Sequence, residues 1–143
     1  MSEELENSVR EMLKEETWTR AGISNFTKNN LMELAELLEK AHNQNCEYEI
    51  KDICDQQLAH TKDSIVALYI SGMVSLHSGS IDTSALVTLT EIFEKNHKEA
   101  LVEYLCQTIL DEDSQNKFAL RKLAEYYKET NDDKVWELYE KIV

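Results

Sequence analysis

Seven residues of this chain are soft metal ligands or strong nucleophiles: His42, His60, His77, His97, Cys46, Cys54 and Cys106. His42 and Cys46 are four apart, a spacing that would put both on one helical face, but there is neither a CxxC pair nor an HExxH motif. Cys54 and Cys106 fall on stripes of apolar residues, where cysteine serves as a small hydrophobe. The expectation is therefore no metal ligand. Nucleophilic catalysis needs a base held against a Cys or Ser and a third group orienting that base, and no spacing here supplies such a set. Three scattered glycines are too few for a phosphate-cradling loop. No catalytic residue, no cofactor-binding residue and no cofactor is expected, and the chain is not expected to be an enzyme.

Two further groups could do chemistry and have a simpler reading. Asp111, Glu112 and Asp113 could hold Mg²⁺ through paired carboxylates and water, yet three acids between helices are the usual composition of a solvated turn. Phe93, Tyr104, Tyr127, Trp136 and Tyr139 could line a peptide groove, but their regular spacing favours a packed core.

The elements that would position these groups are helices. The 143 residues include no proline and three glycines, and Leu, Glu, Lys and Ala stand between regularly spaced apolar positions. One pattern occurs twice. Leu86, Leu89, Thr90 and Phe93 return 34 residues later as Leu120, Leu123, Ala124 and Tyr127, and Leu101, Val102, Tyr104, Leu105 and Thr108 return as Val135, Trp136, Leu138, Tyr139 and Ile142 at the same spacing. A period of this length in two helix-sized halves is the signature of helical hairpin repeats of tetratricopeptide (TPR) type. A large, large, small, aromatic stripe on one face cannot be buried by a single hairpin, so neighbouring hairpins must stack.

Upstream, Leu5, Val9, Met12 and Leu13 form a stripe beginning after Ser2, a candidate N-cap. Trp18 is expected to anchor between helices, with a break near Gly22. Leu31, Leu34, Ala35 and Leu38, behind Thr27 as N-cap, repeat the spacing of the first repeat helix, but 55 residues before Leu86, so the array is irregular. Glu47 to about Thr61 reads as the returning helix, with Tyr48, Ile50, Ile53, Cys54 and Leu58 apolar. Asp63 should cap a strongly apolar helix from Ser64 to about His77, in which Gly72 marks a close helix approach. Ser78-Gly79-Ser80 is a turn, Asp82 the next cap, and further turns fall near Lys95-Asn96-His97, Asp111 to Ser114 and Thr130 to Asp133. The last helix stops without a polar cap, which suggests that more chain follows Val143.

Charge narrows the partners. The formal net charge is −13, from 15 basic and 28 acidic residues spread along the chain, which repels phosphate backbones and disfavours nucleic acid. Basic protein surfaces suit such a field, although the charge could also serve only solubility. The N-terminus lacks the features of a secretory signal, and the apolar run Ile65 to Leu76, about a dozen residues, falls short of the roughly 20 needed to span a bilayer. An odd number of irregularly spaced cysteines points to reduced thiols. A cytoplasmic protein with no membrane partner is expected.

Two stretches resemble a known family. Trp18-Thr19-Arg20-Ala21, and Cys54-Asp55 through Leu58, His60-Thr61-Lys62, Ser64-Ile65, Leu68-Tyr69 and Ser71-Gly72-Met73, are similar to the N-terminal extension of the long Gre-type (GreA) transcription elongation factors of spirochaetes. The resemblance covers most of the chain. It implies a longer protein carrying a Gre coiled coil and a globular domain that bind RNA polymerase and stimulate cleavage of backtracked transcripts. The family's functional carboxylates lie at the coiled-coil tip and match no position here, so no site residue is carried over. The combined expectation is an all-α, TPR-like domain over 1–143 with roughly 7–8 helices, binding a protein partner through a concave groove, with RNA polymerase or another transcription protein as that partner. A stand-alone adaptor unrelated to transcription is the alternative, and oligomeric state is open.

Overall fold

The computed structural model describes residues 2–15, 26–80 and 82–130. Among these there are seven α-helices and no strand: α1 (Ser2–Glu15), α2 (Lys28–Asn43), α3 (Glu47–His60), α4 (Ile65–His77), α5 (Ser84–Lys95), α6 (Glu99–Glu112) and α7 (Lys117–Thr130). The all-α expectation holds. The expected anchor Trp18, the break near Gly22, residues 131–133 of the turn expected after Thr130 and the second-helix copy Val135 to Ile142 lie outside the described residues. The chain divides into two compact units, Met1–Ile92 and Phe93–Val143, with the boundary inside α5.

In the first unit α4 is the centre. From Ile65 to Val74 every residue is buried, because the sequence IVALYISGMV offers no polar face for solvent, and a helix that is apolar all round must be enclosed. α1, α2 and α3 each pack against it. They do so with one-sided stripes: Val9 and Leu13 from α1, Leu31, Leu34 and Ala41 from α2, Ile50 and Cys54 from α3. Full burial of one such large apolar side chain contributes roughly 1.5–3 kcal/mol.

Local chemistry sets the helix ends. Asn30 Oδ1 accepts both the Thr27 backbone N–H at 2.8 Å and the Thr27 hydroxyl at 3.1 Å, closing the start of α2. The cap of α4 is Ser64 and not Asp63. Buried Ser64 presents its Oγ to the Ala67 N–H at 3.2 Å, whereas Asp63 lies exposed in the preceding turn. Asp82 does accept an N–H, that of Ser84 at 3.0 Å, one residue before the position expected of a cap. That bond holds its carboxyl below the ordinary aspartate value. Gly79 at φ 86° ends the turn after α4 in the left-handed region that glycine tolerates.

The repeat stripes are core. Leu86, Leu89, Thr90 and Phe93 are buried, as are Leu120, Leu123, Ala124 and Tyr127. The upstream copy is weaker, with Leu31 and Leu34 buried but Ala35 and Leu38 only half-buried. In α3 Tyr48 points outward at 57% exposure. Two positions before Ile50 is about 200° around the helix, which places Tyr48 on the opposite face. In the second unit α6 packs against α7, and α7 is capped by Asn116, whose Oδ1 accepts the Ala119 N–H at 3.0 Å.

Gly72 is where α4 meets α5. A Cβ there would stand 2.6 Å from both Cγ and Cδ2 of Leu86. Gly72→Val is expected to cost about 1–3 kcal/mol through overpacking, and the penalty should shrink in a Leu86→Ala background. Urea melts of the two single variants and the double variant measure that coupling, and strict additivity would disprove the contact. Asn116→Ala should remove about 1 kcal/mol by loss of the cap, read as a lower urea midpoint at unchanged slope.

Candidate functional site

α3, α4 and α5 frame a groove of about 460 Å³. Its apolar floor comes from Leu58, Leu68, Gly72 and Ala85, and its rim from Lys51, Lys62, Asp55, Asp82, Ser84 and Thr88. The spacing that builds the rim is helical: Lys51, Asp55, Leu58 and Lys62 follow one another at three- and four-residue steps along α3 and just past its end. Lys51 Nζ donates to Asp55 Oδ2 at 2.7 Å, and the Ser71 hydroxyl donates to Asp55 Oδ1 at 2.5 Å. This Lys–Asp–Ser chain has the residue types of a nucleophile with a base. Both carboxylate oxygens of Asp55 are engaged by these bonds, and the arrangement ties α3 to α4 through charge-assisted contacts.

A second hollow of about 540 Å³ lies between α1 and α3, lined by Arg10, Leu13, Lys14, Ile53, Gln56, Gln57 and His60. Its basic rim stands out on a chain of net charge −13.

In the second unit polar contacts join α7 to α6 and to the last turn of α5. The Tyr127 hydroxyl donates to Glu103 Oε1 at 3.2 Å and accepts from Gln107 Nε2 at 3.3 Å. Burial first, and then the Glu103 carboxylate, push this phenol above its ordinary value against the Gln107 bond. Lys122 Nζ bridges to Glu94 Oε1 at 3.1 Å. Burial works against that ammonium, but the bonds and charge of Glu94 outweigh it and leave the pKa raised.

Most of the residues singled out from the sequence fall within the described structure. Cys54 and Cys106 are buried among the core side chains, as is Cys46, and all three are thiols outside any disulfide. Burial pushes the Cys106 thiol up to about 12, so it is a packing residue and not a nucleophile at neutral pH. His42 does not share a surface with Cys46, since the imidazole is exposed while the thiol is 1% exposed. It meets Glu47 and His77 instead, a grouping that sequence spacing missed because His77 is far along the chain. Asp111 and Glu112 are exposed at the end of α6, and Asp113 Oδ1 accepts the Gln115 N–H at 3.2 Å, which makes the acidic run a turn. Phe93 and Tyr127 are buried and Tyr104 is half-buried, whereas Trp136 and Tyr139 lie outside the described residues. Among the described residues no helix is long and apolar enough to cross a membrane.

No protein-family model matches the chain, and no solved structure matches it. Two curated relatives do. A GreA-associated domains protein of Treponema pallidum (strain Nichols) is 42% identical over 118 residues, 82% of this chain and 18% of that protein. A transcription elongation factor GreA of Borreliella burgdorferi is 34% identical over 133 residues, 92% of this chain and 15% of that protein. The chain thus spans less than a fifth of the length of these relatives. Over most of its own length the chain is therefore similar to a part of GreA-named proteins, as the resemblance carried by its own residues implied.

Proposed function

We propose that this chain is a non-catalytic, protein-binding helical domain of a GreA-type transcription elongation factor, placed N-terminal to the parts that act on backtracked transcripts. The observation that carries the reading is its relation to GreA-named proteins over 82% and 92% of its own length. Its partner is RNA polymerase or a protein bound to it, met in the cytoplasm. The 34-residue recurrence of buried positions in α5 and α7 supports the binding role in this reading, since repeat helices present extended surfaces fixed by the core behind them.

The groove between α3, α4 and α5 is the docking place in this reading. An apolar floor under a rim of two lysines and two aspartates matches a segment that inserts an apolar side chain and pairs its own charges at the edges. The surrounding acidic surface steers the partner's basic patches, which makes association faster and more salt-sensitive without adding much affinity.

Surface-immobilised chain should bind the cognate RNA polymerase reversibly, with an association rate that falls as salt rises. Thr88→Arg, which fills the groove, should weaken that binding at least tenfold, and Lys62→Glu on the exposed rim should weaken it less. Failure to bind polymerase, alone or in an elongation complex, would sink the reading, as would hydrolytic or transferase activity in the purified chain.

A further inference from the structure

The ends of three helices meet at His42, Glu47 and His77, from the last turn of α2, the first turn of α3 and the last turn of α4. One ligand atom from each lies within 4.8 Å of the others. His42 Nδ1 is 3.2 Å from Glu47 Oε1, close to the roughly 3.3 Å that separates two ligands on a tetrahedral Zn²⁺ with bonds of about 2.0–2.1 Å. The two imidazoles stand edge to face, centroids 4.7 Å apart at 80°, so the third donor is already beside the first two.

We propose that His42, Glu47 and His77 form a three-ligand site for a borderline divalent cation, Zn²⁺ being the one that fits, which ties the ends of α2, α3 and α4 together. This does not rest on the transcription reading. Two imidazoles and one carboxylate are a donor set for zinc, whereas Mg²⁺ and Ca²⁺ take oxygen ligands throughout. Both histidines sit at helix C-termini, where the partial negative charge of the helix end favours a cation. The donors are held by what lies behind them: Ala41, Cys46, Ile50 and Leu76, next to or near them in sequence, are all buried. Glu47 is 15% exposed and His42 54%, which leaves the outer side open to water as the fourth ligand. Cys46 is the nearby competitor, but its thiol is enclosed, with the residue 1% exposed.

The test is titration of the untagged chain with Zn²⁺ by calorimetry, with Co²⁺ as the spectroscopic probe. One Zn²⁺ per chain should bind in the micromolar range, and Tm should rise by several degrees at a hundredfold excess over Kd. Co²⁺ should give the visible bands of four-coordination without a thiolate charge-transfer band. His42→Gln and His77→Gln, both at exposed positions and expected to keep the far-UV spectrum, should each weaken binding at least tenfold. No binding, binding that survives both histidine substitutions, or a thiolate band would overturn the site.

Discussion

The structure of the first unit depends on one constraint: α4 has no face that water can accept. Its ten consecutive buried residues, Ile65 to Val74, must be covered on every side, and three amphipathic helices are needed to do it. The polar groups that this enclosure would strand are answered locally. Ser64 caps its own helix, Ser71 donates to Asp55, and Thr90 in α5 donates to the Leu86 carbonyl at 2.8 Å. Among the described residues no buried side-chain nitrogen or oxygen is left without a hydrogen bond, which is the condition under which an apolar core tolerates such groups.

Much of the fold was legible because its signals are local or periodic. The 34-residue recurrence picked out eight positions in α5 and α7, and all eight are buried. The apolar run of α4 and the turn at Gly79 were equally plain. What misled was detail one residue wide: Asp63 and Ser64 are both good caps by type, and burial of Ser64 decided between them. Tyr48 looked apolar by composition, yet its angular position put it in solvent.

The candidate sites were less legible, for the same physical reason in each case. The groove rim takes Lys51 and Asp55 from α3 and Asp82, Ser84 and Thr88 from the start of α5, with the floor from α4, so it exists only after three helices have packed. His42 and His77 come together because α2 and α4 both end at the same end of the unit. No short motif encodes that meeting. Chemistry set by a linear motif can be read from spacing, whereas chemistry assembled from helix ends requires the fold first.

The complete enclosure of α4 also has a consequence for how the chain is made. Synthesis delivers α1, α2 and α3 before the helix they cover, so until His77 has left the ribosome they have one another but lack the apolar helix on which all three pack. The most water-averse stretch of the unit thus follows the three helices that cover it, with most of α5 still to come. Enclosure of α4 therefore cannot be completed before α4 itself has been made, however early the preceding helices form.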